Sequence, residues 1–191
     1  MTPLDSAKAS LREQVRARLH GVPTEHCSAA SAQLCTRLQA QRTWSEAKSV
    51  LLFAPLPEEP NMWAMLVEAL AAGKTVALPA FVAGTSVYTA RQIIDPTRDL
   101  VLGKFGIREP ALSCPEVALN RLDLVLVPGV AFDTRGGRLG RGKGFYDRLL
   151  PAVNGLKCGV AFDEQIVDAV PVGPMDVRLN CILTPTRWIE T

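Results

Sequence analysis

The chain has 191 residues, 48% of them hydrophobic and 21% charged, with a formal net charge of +2. That composition excludes an intrinsically disordered protein and is enough for one domain to bury a real core. It also argues against a protein that lives by gripping nucleic-acid backbones, since phosphate contacts along a strand demand a large excess of Lys and Arg.

In chain order, Asp5 or Ser6 is expected to cap a helix running to about His20, where Gly21 and Pro23 stop it. Lys8, Arg12 and Arg16 recur every four residues on one face of this helix, with Arg18 nearby. Like charges at that spacing repel. A solvated face accounts for them, and a bound anion such as a nucleotide phosphate would relieve the repulsion. Thr24 is expected to cap a second helix reaching about Arg42.

The pattern then alternates. KSVLLFA (48–54) reads as a short apolar strand, and Asn61 is placed to cap MWAMLVEALAA, which Gly73 terminates. TVALPA (75–80) is a second strand, and the intervening helix is long enough for a parallel crossover. SVYTARQI (86–93) suits an edge strand. LDLVLVP (122–128) is apolar throughout, as a central parallel strand covered on both faces must be. GLKCGVAF (155–162) and CILTP (181–185) supply two more. Trp63, Tyr88, Phe105 and Phe132 read as core or interface aromatics.

These elements predict an α/β sandwich with a mostly parallel sheet, in a single domain over 1–191. The N-terminal helices (5–42) would pack on the α/β core. In open α/β sheets ligands bind beyond the carboxyl ends of the strands. Three loops leave such ends: APLPEEPN, PGVAFDTRGG and FDEQ. In the first, Glu58 and Glu59 sit between Pro57 and Pro60, either solvated or set to hydrogen-bond a heterocycle or cation.

The stretch GGRLGRGKGFYDRL (136–149) follows the central strand and leads into a helical pattern. Strand, glycine-rich loop and helix in that order is a phosphate-binding arrangement, because loop amides and the helix N-terminus face an anion together. Gly137 and Gly142-Lys143 match most of a P-loop, but Gly144 stands where Ser or Thr should hold magnesium. The dinucleotide fingerprint also fails, with Phe145 in the place of its third glycine. A non-standard cationic cradle remains, with Asp147 as a magnesium-ligand candidate. A structural turn is the plain alternative, although it does not need five glycines and interleaved cations. An RNA-gripping Arg-Gly box is disfavoured by its position between a buried strand and a helix.

Cys27, Cys35, Cys114, Cys158 and Cys181 contain no C-x-x-C pair, and the two histidines, His20 and His26, offer no zinc spacing. Scattered thiols read as buried small hydrophobes in a reducing compartment. The charged N-terminus lacks a signal-peptide core and no apolar run approaches a membrane span, so a soluble, cytoplasmic protein is expected.

VPGVAFDTRGGRLGRGKGFYDRLL resembles the signature of the 5-formyltetrahydrofolate cyclo-ligases. SAKASLREQVRARL, LLFAPLPEEPNM, FGIREP and GVAFDEQIVDAVPV are similar to further segments of that family, in the same order along nearly the whole chain. The resemblance implies ATP- and magnesium-dependent ring closure of 5-formyltetrahydrofolate to 5,10-methenyltetrahydrofolate, with release of ADP and phosphate. It implies a three-layer α/β/α sandwich akin to certain sugar-phosphate isomerases and CoA transferases, and a monomer acting on small molecules with no nucleic-acid or membrane partner.

By the same resemblance ATP would contact Lys8, Ala9, Ser10, Leu11 and Arg12. It would also contact Arg138, Leu139, Gly140, Arg141, Gly142, Lys143, Gly144, Phe145 and Tyr146. Arg141 and Lys143 would supply charge for phosphoryl transfer, Ala54 and Glu59 would contact the folate, and Asp147 would hold magnesium. The family's second C-terminal aspartate, four residues after Asp176, is Asn180 in this chain and would be the other metal ligand. The competing readings are an isomerase- or CoA-transferase-like enzyme on the same fold, and a non-catalytic RNA-binding relative.

Overall fold

The computed structural model describes residues 2–82, 87–103 and 106–191, with Val87 described by its backbone alone. The predicted Ser86 strand start and Phe105 lie outside the described residues. The chain opens with helices α1 (Pro3–His20), α2 (Thr24–Gln39) and α3 (Arg42–Glu46), followed by β1 (Ser49–Leu51), α4 (Trp63–Ala71), β2 (Thr75–Val82) and β3 (Val87–Ile93). A short α5 (Pro96–Asp99) leads into β4 (Leu100–Leu102), β5 (Arg108–Pro110) and β6 (Glu116–Val117). Then come β7 (Leu124–Val127), β8 (Ala131–Asp133), β9 (Arg138–Leu139), α6 (Phe145–Leu149), β10 (Leu156–Val160), β11 (Ile166–Val167), β12 (Cys181–Leu183) and β13 (Trp188–Glu190).

The helix ends show how local chemistry shifts the expected boundaries. Thr2, not Asp5 or Ser6, caps α1: its hydroxyl accepts the Asp5 N–H at 3.1 Å, while the Asp5 carboxylate accepts the Thr2 N–H at 2.9 Å. Asp5 is therefore the third-residue partner of a capping box, and Pro3 opens the helix where its missing N–H costs nothing. Thr24 is the first helical residue of α2, with Pro23 at the cap position. The helix stops at Gln39, and Arg42 begins the separate α3 instead of ending α2. Met62 occupies the cap position of α4, yet the Asn61 carboxamide oxygen accepts the Trp63 N–H at 3.0 Å, so the expected acceptor is present one residue early.

The main sheet has strand order β13-β12-β10-β7-β1-β2-β3-β6. Strands β12, β10, β7, β1 and β2 are mutually parallel, while β13, β3 and β6 pair antiparallel at the two sides. Alternate residues of the parallel strands enter different cores. Val50, Leu124, Leu126, Cys158 and Leu183 pack under α2, α3 and α4, whereas Leu51, Val125, Val127 and Ile182 face Phe132, Leu149 and Leu150. Both faces are covered, which is why these strands read as unbroken apolar runs.

The second covering layer is slighter than a row of helices. It consists of α6, a single turn at Leu150–Ala152, and the small sheet β11-β8-β9. Helix α1 packs on that small sheet through Leu11 and the buried Val15, which meet Val130, Ala131, Leu139 and Val170. Gly159 lets the Phe132 ring close down on β10, since a Cβ there would lie 2.8 Å from both Phe132 and Leu179.

The five cysteines are unpaired, and Cys35, Cys114, Cys158 and Cys181 are buried as the composition suggests. Among the described residues, no helix is long and apolar enough to cross a membrane.

Candidate active site

Strand β1 lies between β2 and β7. The chain leaves β1 towards β2 on one side, and leaves β7 towards β10 and β12 on the other. The loops after β1 and β7 diverge, which opens a crevice at this switch point. A cavity of about 410 Å³ occupies it, bounded by Phe53, Ala54, Leu56 and Glu59 from the first loop and Pro128 and Gly129 from the second. The glycine loop contributes Arg138, Gly140, Arg141, Lys143, Gly144, Phe145, Tyr146 and Asp147. Pro79, Tyr88, Ile107, Arg108, Glu109 and Leu149 complete the described wall.

The glycines of GGRLGRGKG divide into two groups. Gly136 (φ 80°) and Gly137 form the turn of the β8–β9 hairpin: the Gly137 amide donates to Asp133 Oδ1 at 2.9 Å, and its carbonyl accepts the Asp133 N–H at 3.0 Å. Burial would raise the Asp133 pKa, but amides of Val170, Gly137 and Arg135 outweigh it and hold the carboxyl below its ordinary value. This first pair shapes the scaffold. Gly140 and Gly144 line the cavity and Gly142 sits between them on the loop, with Gly142 (φ 96°) and Gly144 (φ 64°) in a backbone region that disfavours side chains. The helix that follows has only five residues, so loop amides and side-chain cations must dominate any attraction for an anion.

The cations are held differently from one another. Arg138 is buried, donating to Pro128 O at 3.1 Å and to Asp147 Oδ1 at 2.7 Å, with its guanidinium 5.4 Å over the Tyr146 ring. Arg141 projects from the loop and is held by both glutamates of APLPEEPN, Nε to Glu59 Oε1 at 3.1 Å and Nη1 to Glu58 Oε2 at 3.2 Å. Glu59 is itself fixed, its Oε2 accepting the Leu56 N–H at 3.0 Å. Lys143 is exposed and forms no salt bridge among the described residues. Deep in the pocket, burial first and then the Glu59 charge raise the Tyr146 pKa, which keeps the phenol a neutral donor.

Helix α1 reaches the loop through two of its expected residues. Arg12 Nε donates to Gly140 O at 2.8 Å, and Lys8 Nζ pairs with Asp176 Oδ2 at 2.5 Å. Burial opposes ionisation of Asp176, but Lys8 and the Gly173 amide prevail and lower its pKa. The charge face of α1 is thus partly neutralised by the protein itself. Ala9, Arg12 and Arg16 line a second groove, bordered by Glu58 and Phe162. Ser10 is exposed and accepts from Gln14, and Leu11 packs into the small core.

Three further expected residues stand apart from the crevice. Leu139 is buried in the small core and Gly142 faces the Arg12 guanidinium. Asn180 lines neither cavity; it precedes β12, and its Oδ1 accepts the Lys157 N–H at 2.9 Å. The sequence reading missed the opposite wall. Tyr88, read as a core or interface aromatic, does pack against the core, and it also lines the pocket, meeting Phe81 and Phe145 edge-on with centroids 5.6 and 4.7 Å away. Ile107, Arg108 and Glu109 arrive on the β4–β5 hairpin, whose three-residue strands carry no periodic signal.

Cations over a largely apolar pocket at the switch point of a mostly parallel sheet are the arrangement of an α/β enzyme. The chain belongs to the 5-formyltetrahydrofolate cyclo-ligase family, whose model matches residues 5–185. It is 33% identical over 183 residues to the 5-formyltetrahydrofolate cyclo-ligase of Escherichia coli K12, covering 92% of this chain and 99% of that protein. The probable 5-formyltetrahydrofolate cyclo-ligase of Schizosaccharomyces pombe is 28% identical over 96% of this chain and 97% of its own. Among solved structures, the 5,10-methenyltetrahydrofolate synthetase of Aquifex aeolicus superposes with a TM-score of 0.86 at 31% identity, covering 96% of this chain and 92% of that one.

Proposed function

We propose that the protein closes the ring of 5-formyltetrahydrofolate to 5,10-methenyltetrahydrofolate, driven by ATP. A formyl oxygen is a poor leaving group. Attack of that oxygen on the γ-phosphorus breaks the bond to ADP and turns the oxygen into a phosphate ester. N10 then attacks the formyl carbon, the carbon–oxygen bond breaks, inorganic phosphate leaves, and the N10 proton passes to solvent.

The single observation that carries this reading is the placement of Arg141 and Lys143 on a glycine loop over a ring-sized pocket. Phosphoryl transfer is chiefly positioning and charge stabilisation. Arg141, fixed by Glu58 and Glu59, is the positioned charge, and Lys143 is the cation left available to a phosphate. No Ser, Thr, Cys or His is among the described residues lining the pocket, consistent with transfer directly between substrates. The groove along α1, with Arg12 at its boundary beside the loop, would take the nucleotide.

Magnesium is the metal such a reaction uses, and it binds through one or two carboxylates plus waters and substrate phosphates. Among the described residues no group of three or more His, Cys, Asp or Glu could hold a metal. Asp147 lines the pocket and gives only its Oδ1 to Arg138, which fits a protein ligand to an ion carried on the nucleotide. When bound, the ion would neutralise phosphate charge; the protein's own part is to hold Asp147 through Arg138.

The test is absorbance of the methenyl product with purified protein, 5-formyltetrahydrofolate, ATP and magnesium. Turnover dependent on both ATP and folate is expected. No product at any magnesium concentration would sink the proposal.

A further inference from the structure

Three arginines line the described wall of the cavity, and two of them are already paired. Arg138 is bonded to Asp147, and Arg141 to Glu58 and Glu59. The third, Arg108 on β5, is exposed and forms no salt bridge among the described residues. Its neighbour Glu109 is turned inward and does not serve it. The Glu109 Oε2 accepts the Phe81 N–H at 3.1 Å, while its Oε1 is buried beside Gly103 with no hydrogen-bond partner among the described residues.

What Arg108 does have is a platform. Its guanidinium lies 5.5 Å over the ring of Trp63, the first residue of α4. A guanidinium stacked by its face on an aromatic ring keeps its edge of N–H donors open and loses freedom to turn that edge elsewhere. A residue that lines the cavity and is also exposed stands at its mouth. Arg108 is thus an oriented, uncommitted cation at the mouth, on a different wall from the loop that carries Lys143.

The cations suited to a phosphoryl group, Arg141 and Lys143, place the reacting centre under the glycine loop. In 5-formyltetrahydrofolate both full negative charges at neutral pH sit on the glutamyl end, remote from the formyl group. A carboxylate takes the edge of a guanidinium through two parallel N–H···O bonds, which a stacked arginine presents already aligned.

We propose that Arg108, held on Trp63, binds a glutamyl carboxylate of 5-formyltetrahydrofolate at the cavity mouth. This rests on the cyclo-ligase reading and assigns the direction in which the substrate lies, reacting end beneath the glycine loop and anionic end at the β4–β5 hairpin. The contact is the same before and during the reaction, so it sets KM for the folate and leaves kcat alone.

The experiment compares 5-formyltetrahydrofolate with 5-formyltetrahydropteroate, which lacks the glutamate, in the wild type, Arg108→Ala and Arg108→Lys. The wild type should use the pteroate with kcat/KM about tenfold lower, a modest factor because the pair is exposed to solvent. Arg108→Ala should raise KM for the folate about tenfold, with kcat, KM for ATP and all pteroate kinetics within about twofold of the wild type. Arg108→Lys, which keeps the charge without the fork, should recover only part of the loss. Added salt should raise the folate KM more in the wild type than in Arg108→Ala. Equal losses on folate and pteroate in Arg108→Ala would overturn the assignment, because the arginine would then be only part of the wall. So would an unchanged folate KM, a rise confined to the KM for ATP, or a wild type indifferent to the missing glutamate. A wild type that converts neither compound would overturn the cyclo-ligase reading along with it.

Discussion

Glu59→Gln is the substitution that most directly tests how the loop cation is held. Both partners of Glu59 are donors: Arg141 Nε–H at 3.1 Å on one oxygen, and the Leu56 N–H at 3.0 Å on the other. A glutamine offers one acceptor and one donor, so whichever way the amide turns, an N–H faces an N–H. The change is nearly isosteric but not conservative. Leaving the Leu56 N–H or the guanidinium unmatched costs about 1–3 kcal/mol. The ion-pair part deserves a discount, because the Arg141 side chain is 32% exposed. A loss of about 2 kcal/mol follows, or roughly 4–8 °C in Tm for a chain of this size.

The catalytic effect should exceed the effect on stability. An Arg141 released from Glu59 no longer meets the phosphoryl group in one orientation, and misplacement on that scale costs about 10²-fold in rate. Steady-state kinetics with both substrates, beside a thermal melt, separate the two effects. The expected pattern is a fall in kcat with only a modest change in KM for the folate. A rise in folate KM with kcat intact would refute the reasoning, because it would make Glu59 a direct folate contact. Wild-type kinetics would refute it more simply.

Lys143→Ala should leave the melting temperature within the range of ordinary surface substitutions, about 0.5 kcal/mol, while cutting ATP-dependent turnover by about 10² or more. ATP titrations check this. Gly159→Ala should destabilise by about 1–3 kcal/mol, since its methyl group would press on Phe132 and Leu179 at 2.8 Å, as chemical denaturation would report. Asp133 has a folded pKa below its ordinary 3.8, so its contribution to stability is present above that value and lost as pH falls through the lower folded pKa. Melts between about pH 2 and 5 should show an acid limb that is shallower in Asp133→Asn.

Much of the frame is legible in the sequence because the parallel strands are buried on both faces. LDLVLVP reads as a central strand, and the loops after it and after KSVLLFA follow at carboxyl ends. Arg141, Lys143 and Glu59 stand out in the sequence because cations interleaved with glycine, and glutamates between prolines, are uncommon patterns, and all three line one cavity. What stayed hidden depends on contacts between distant segments. Gly136 and Gly137 belong to a hairpin turn, and a hairpin and a phosphate loop ask for the same backbone freedom. The orphaned oxygen of Glu109 exists only because Phe81, Gly103 and Trp63 surround it and its neighbour, a relation no local spacing encodes.

The same distinction bears on a position where the resemblance leads one to expect an aspartate. The residue four after Asp176 is Asn180, which the sequence reading paired with Asp147 as a magnesium ligand. In the structure its carboxamide oxygen satisfies the Lys157 N–H at 2.9 Å, and its backbone joins β12 to β10 through a 2.9 Å bond to Lys157 O. An aspartate could make the same hydrogen bond, so Asn180→Asp adds one exposed charge and leaves the pocket untouched. The magnesium concentration giving half-maximal turnover should stay within about twofold of the wild type, because an exposed charge outside the site is largely screened. Asp147→Asn, which removes charge beside the nucleotide, should raise that concentration by about tenfold or more. If Asn180→Asp instead tightened magnesium dependence about tenfold, the second ligand would be at 180 after all, and Asp147 would not be the sole protein ligand.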